Sequence, residues 1–237
     1  MPGNYPLLTI FMVPVIAIDG PSGSGKGTIA RRVAAALGYH LLDSGALYRL
    51  VALAGLRRGL SPDDQSGHAT LAQTLNVTFD MDEAGEERIL LDGDEVTSEV
   101  RTEAAGGEAS RVAAMPPVRT ALLSRQHAFA RPPGLVADGR DMGTVVFPAA
   151  PLKIYLTASA DERARRRHKQ LKEKGLTVTI AGLSQEIRER DLRDSSRPVA
   201  PLRPAEDAVL LDSTGLSIEQ VVDQVLALAR SRLPAIF

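Results

Sequence analysis

Val15-Ile-Ala-Ile-Asp-Gly-Pro-Ser-Gly-Ser-Gly-Lys-Gly-Thr28 is the stretch on which the reading turns. An apolar run stops at Asp19, a glycine-rich turn leads to Lys26 and Thr28, and Ile29-Ala-Arg-Arg-Val-Ala-Ala-Ala-Leu37 follows with helical spacing, closed by Gly38. Strand, glycine-rich turn, helix is the layout of a phosphate-binding loop. Glycines let backbone N–H groups turn inward around phosphate oxygens, and the helix adds the positive end of its dipole. On this reading Gly20, Pro21, Ser22, Gly23, Ser24, Gly25, Lys26, Gly27 and Thr28 hold a nucleotide's phosphates, with Lys26 as the mobile positive charge. The generic pattern is G-x-x-x-x-G-K-[ST]. Here Gly27 takes the hydroxyl position and Thr28 comes one later.

The 237 residues suffice for one α/β domain with insertions, or for two small domains. A net charge of −1 gives no bulk field toward nucleic acid or a membrane surface. With no cysteine, disulfides, thiol catalysis and zinc–thiolate sites are excluded, which fits a cytoplasmic protein. No apolar run is long enough to span a bilayer. Met1 to Met12 has no basic region and runs straight into the first strand, so it does not read as a signal peptide, and Met12 is a candidate start.

Strands are expected near 13–18, 134–138, 152–157 and 208–212, with helices near 27–37, 46–58, 102–115 and 117–130, from Ser159-Ala-Asp-Glu162, and from Ser217-Ile-Glu-Gln220 to the end. The alternation predicts an α/β fold with a doubly wound, mostly parallel sheet. Between about 74 and 100, Asn76-Val-Thr-Phe-Asp-Met81 and Arg88-Ile-Leu-Leu-Asp92 read as a small antiparallel insert, with Asp92-Gly93 as a hairpin signal.

Four further clusters carry chemistry. Asp43-Ser-Gly-Ala-Leu-Tyr-Arg49 either caps a helix or reaches a second ligand through Tyr48 and Arg49. Asp138-Gly-Arg-Asp141 follows a parallel strand, where ligands of open α/β sheets sit. Arg140 there offers a bidentate grip on phosphate, and the carboxylates suit a base amino group or magnesium and its waters. Residues 161–174 hold seven Lys or Arg: a solvated face, a nucleic-acid site weakened by the lack of aromatic residues, or a helix that closes over a transferring phosphoryl group. In Glu189-Arg-Asp-Leu-Arg-Asp-Ser-Ser-Arg197, Arg190, Asp194 and Arg197 share a helical face, either as surface ion pairs or as a ribose and phosphate site. His40, His68, His127 and His168 form no metal-spaced cluster.

Val15–Thr28, Leu42-Asp-Ser-Gly-Ala-Leu-Tyr-Arg49, Asp138-Gly-Arg-Asp-Met-Gly-Thr-Val-Val-Phe-Pro148 and Glu189–Arg197 together resemble the bacterial cytidylate kinases, from about Val13 to the C-terminus. The resemblance implies a P-loop kinase fold with a core of 1–73 and 101–237, a basic lid at about 163–182, and 74–100 as a nucleotide-monophosphate-binding insert. It implies ATP as phosphoryl donor, magnesium held by Thr28 and Asp138 partly through water, and CMP or dCMP as acceptor to a monomeric enzyme. Arg49, Arg140 and Arg197 would grip the CMP phosphate. Ser110, Arg119 and Asp141 would read cytosine, and Arg190 and Asp194 would hold the ribose. Ser44 and Tyr48 would line the acceptor site, with Arg163, Arg165 and Arg166 meeting the transition state. Ala104-Ala-Gly-Gly-Glu-Ala-Ser110 departs from the family's run, and Gly106-Gly107 weakens that helix start. The rivals are another small-acceptor kinase for adenylate, uridylate or shikimate; a switch GTPase; and a nucleic-acid binder. The GTPase reading lacks its Asn-Lys-x-Asp guanine reader, because neither Asn4 nor Asn76 precedes a lysine.

Overall fold

The computed structural model describes residues 13–81, 87–173, 175 and 177–233; the N-terminal reading at 1–12 lies outside them. Five parallel strands form the main sheet: β1 (Val15–Asp19), β2 (His40–Asp43), β6 (Leu135–Gly139), β7 (Leu152–Thr157) and β8 (Val209–Asp212), in the order β2-β6-β1-β7-β8. Alternation along the strands divides the core into two layers. Ile16, Ile18, Val136, Leu152, Ile154 and Leu156 face α1 (Lys26–Leu37) and the C-terminal helix α9 (Ile218–Arg232). Val15, Ala17, Leu42, Leu135 and Ala137 face α2 (Ser44–Arg57) and α6 (Pro116–His127). The doubly wound parallel sheet is therefore as expected.

The insert is a three-stranded antiparallel sheet of β3 (Val77–Met81), β4 (Glu87–Leu91) and β5 (Asp94–Glu95), preceded by α3 (Gln65–Thr74). Asp92 (φ 53°) and Gly93 (φ 93°) make the tight turn between β4 and β5, where left-handed backbone suits both residues. The insert has no separate core: Ile89, Leu91 and Val96 pack in the same cluster as Leu47 and Leu50 of α2.

Several boundaries differ from the sequence reading. The helix expected at 46–58 is α2, which starts two residues earlier at Ser44, after Asp43 accepts from the Ala46 N–H at 3.0 Å; His40–Asp43 before it is a strand that the pattern did not suggest. The helix expected at 102–115 is α5 (Glu103–Val112), and a short helix the pattern did not suggest, α4 (Thr97–Val100), precedes it. Gly106 and Gly107 lie inside α5, whose start is held by Thr102 accepting from Ala105 N–H. The basic segment forms α7 (Ala160–Glu173), which packs along α8 (Ile180–Ser195). Ser159 accepts from Glu162 N–H, but the Glu162 carboxylate turns to Arg165 and Arg166 instead of closing a capping box. At α9 the box is complete between Ser217 and Gln220.

Ile18 is fully buried at the centre of the sheet. Ile18→Ala is expected to cost about 2–5 kcal/mol, read as a lower urea midpoint with an unchanged slope.

Candidate active site

The loop between β1 and α1 bends around backbone that comes within contact distance. A Cβ at Gly20 would lie 2.0 Å from the Leu156 carbonyl oxygen, so only glycine fits where the loop leaves the sheet. A Cβ at Gly27 would stand 3.2 Å from Asp138 Oδ2, so the residue in the usual hydroxyl position clears the way for the β6 carboxylate. The Ser24 hydroxyl is buried in the loop without a hydrogen-bond partner. Lys26 opens α1 and brings Nζ to 3.8 Å from Asp138 Oδ1. Burial, then the Arg140 charge, push the Lys26 ammonium down to about 8, while burial pushes the Asp138 carboxyl up to about 6 against the pull of Lys26. A lysine held below its ordinary range, beside loop N–H groups, is a site short of negative charge.

The loop borders a cavity of about 970 Å³ above the carboxyl ends of the strands. Eleven Lys and Arg line it against six Asp and Glu, so the cavity is cationic in a chain whose net charge is −1. Asp194, from the last turn of α8, is the hub of the far wall. Its carboxylate accepts from Arg140 Nε at 2.9 Å and Ser110 Oγ at 2.9 Å, and Arg197 Nη2 stands at 3.4 Å. Burial raises the Asp194 carboxyl, but Arg140 and Arg197 override it and hold the group below its usual range. Arg190 is less fully compensated: its Nε is buried without a hydrogen-bond partner, and burial plus Arg140 bring it down to about 10 against the opposing pull of Asp194. Arg49 donates to the Val100 and Thr102 carbonyls at 2.6 and 3.1 Å. Gly106 of α5 supplies the room for this packing, since a Cβ there would meet Arg190 Nη1 at 2.9 Å and Arg49 Nη2 at 3.2 Å.

At the other end, the Arg119 guanidinium is hydrogen-bonded to the Asp141 carboxylate and lies 5.7 Å over the Tyr48 ring. Burial raises the Asp141 carboxyl, opposed by Arg119 and Arg197. Burial also pushes the Tyr48 hydroxyl up to about 12.

The structure thus gathers Lys26, Thr28, Ser44, Tyr48, Arg49, Ser110, Arg119, Asp138, Arg140, Asp141, Arg166, Arg190, Asp194 and Arg197 around one space, together with Ser22 to Gly27 of the loop. Arg166 reaches it while donating to Ser24 O at 3.2 Å and Ser213 O at 2.6 Å. Gly20 and Pro21 lie outside its lining. Arg163 and Arg165 also stand apart. Arg163 is buried beneath the loop, donating to Ser22 O at 3.0 Å and pairing with Asp191 at 2.7 Å, and Arg165 pairs with Glu162 at the surface. Arg197 lies two residues past the end of α8, so it reaches Asp194 across a turn instead of along the expected helical face.

Two residues the sequence reading did not assign belong to this architecture. Asp19, directly before the loop, accepts from the N–H groups of Met142 and Gly143 at 2.8 Å each, and so ties the loop to the backbone that follows Asp141. The signal was an acid closing an apolar strand. Gln126 is buried behind Ser44 and accepts from its hydroxyl at 2.9 Å; the signal was an amide in line with Val118 and Leu122 at four-residue spacing.

Burial raises the Asp19 carboxyl from 3.8 to about 7, although its two backbone donors oppose this. A raised carboxyl means the folded state holds a proton that the unfolded chain has released, so this group's contribution to stability falls as pH rises through that window. The difference in unfolding free energy between the parent protein and Asp19→Asn should fall by about 1.4 kcal/mol per pH unit between roughly pH 4 and 7. A difference independent of pH would contradict it.

Comparison with known proteins is consistent with this geometry. The cytidylate kinase family model matches residues 16–231. The cytidylate kinase of Colwellia psychrerythraea is 58% identical over 220 residues, covering 93% of this chain and 97% of that protein. The cytidylate kinase of Pseudomonas paraeruginosa is 60% identical over 215 residues, covering 90% and 94%, and that of Edwardsiella ictaluri is 57% identical over 222 residues, covering 94% and 98%. With a phosphate loop on a parallel sheet facing an arginine-lined cavity, the chain belongs to the cytidylate kinase family of P-loop kinases.

Proposed function

We propose that this enzyme transfers the γ-phosphoryl group of ATP to CMP or dCMP, giving ADP and CDP or dCDP. The observation that carries the reading is that phosphate loop, arginine cluster and the Arg119–Asp141 pair border a single cavity. The loop and Lys26 take the ATP phosphates. Arg49, Arg140 and Arg197 take the acceptor phosphate, and Arg190 and Asp194 the ribose. An acceptor-phosphate oxygen attacks the γ-phosphorus in line as its bond to the β-phosphate oxygen breaks and ADP leaves. No side chain forms a covalent bond. Catalysis is positioning and charge neutralisation by Lys26 and the arginines, with Arg166 closing from α7.

Asp138 and Thr28 fit magnesium. Asp138 Oδ1 is buried without a hydrogen-bond partner, and Thr28 borders the same cavity from the first turn of α1. Among the described residues no three His, Asp or Glu group around a metal site, so nucleotide phosphates and water would complete the shell. When bound, the metal supplies charge stabilisation to the phosphate oxygens.

Cytosine is read by Asp141 accepting from the 4-amino group and by Arg119 donating to the ring's acceptor edge. Ser110, which donates to Asp194, joins the two recognition walls. Arg163 is assigned to holding the loop from below, and residues 163–182 and 74–100 to a lid and an acceptor-side wall. The enzyme acts as a cytoplasmic monomer; no helix among the described residues is long and apolar enough to cross a membrane.

Offered CMP, dCMP, UMP, AMP and shikimate separately with ATP and magnesium, the enzyme is expected to use CMP and dCMP well above the others. Comparable use of UMP would overturn the cytosine-reading assignment. Lys26→Ala should lose roughly hundredfold or more in turnover, and parent-like turnover would contradict the phosphate-loop role.

A further inference from the structure

Gln126 is almost completely buried in α6, seven residues after Arg119 on the same helix. An amide in an apolar layer is costly unless its polar atoms are used. Its oxygen is used here: the Ser44 hydroxyl donates to Oε1 at 2.9 Å.

The consequence lies at Ser44. A serine hydroxyl has one hydrogen and two lone pairs. An amide oxygen can only accept, so the Ser44 hydrogen is spent on Gln126. What remains toward the cavity, which Ser44 borders, is an acceptor. Ser44 adjoins the base-reading end along α2, one turn before Tyr48, whose ring lies under Arg119.

We infer that Gln126 is a specificity-determining positioning residue: by consuming the only hydrogen of Ser44, it makes that hydroxyl a second acceptor beside Asp141, so that the site accepts an amino group and rejects a carbonyl at the 4-position of a pyrimidine. Gln126 touches no substrate. The inference rests on the cytosine-reading end proposed above and extends it to a buried residue behind the wall. Without Gln126, Ser44 is free to rotate and donate, and uracil's 4-carbonyl finds a partner where it had met a lone pair.

The test is the ratio of kcat/KM for UMP to that for CMP. Gln126→Met keeps length and removes the acceptor; the ratio should rise by about tenfold, with CMP still turned over. In a Ser44→Ala background the same Gln126→Met change should leave the ratio within about twofold, because the hydroxyl through which it acts is gone. A loss of stability alone lowers both activities together and does not move the ratio. An unchanged ratio in Gln126→Met with CMP turnover retained overturns the inference and leaves the kinase reading intact. An equal rise in the Ser44→Ala background overturns it too, because the effect would then run through packing or Tyr48. Gln126→Leu is made in parallel; if neither variant folds, the role is structural and the inference fails. Absence of CMP turnover in the parent protein would instead sink the proposed function.

Discussion

Mutual repulsion among arginines is the constraint on which the rest of this structure depends. Arg49, Arg140, Arg190 and Arg197 converge on one cavity with Lys26, and each of Lys26, Arg49, Arg190 and Arg197 is held below its ordinary proton affinity, chiefly by burial, with the Arg140 charge adding to it and neighbouring carboxylates opposing. Such a cluster is tolerable only if carboxylates divide it up. Asp194 takes Arg140 and Arg197, Asp141 takes Arg119, and Asp138 faces Lys26. The compensation is incomplete, and the remaining positive charge is the binding energy offered to phosphates.

The fold supplies the frame for that arrangement. Parallel β1 and β6 end side by side, with Asp19 opposite Gly139 in register, so the phosphate loop and the Asp-Gly-Arg-Asp turn leave the sheet together. Asp19 then joins them by two backbone hydrogen bonds to the residues after Asp141. From below, Arg163 holds the loop at Ser22. The α2–α5–α6 layer brings Ser44, Tyr48, Ser110 and Arg119 to the same space. The cavity is therefore lined from strand ends, helix starts and, at Ser110 and Asp194, helix ends, where rigid backbone positions the side chains.

Legibility in the sequence followed how local each feature is. The phosphate loop was readable because strand, glycines, lysine and helix are contiguous and each has one physical reason to be there. Strand β2 was not: four residues ending in the cap of the next helix carry too little periodicity to separate from that helix. The gathering of Arg49, Arg140, Arg190 and Arg197 is long-range, and only the family resemblance brought them to one ligand. Arg163 shows the limit of a charge run. Three arginines in the run divide among the space beneath the loop, the surface and the cavity, because neighbouring positions on a helix face different ways. Gln126 was missed because a single amide in an apolar stripe has no partner visible in sequence; Ser44 lies 82 positions away.

The central claim is that this cavity is held together short of negative charge, and that the phosphate of the acceptor completes it. The direct measurement is the unfolding temperature with cytidine and with CMP, each at low and at high salt. The account predicts that CMP stabilises the protein well beyond cytidine and that salt erodes this advantage. Equal stabilisation by the two ligands, independent of salt, would contradict it.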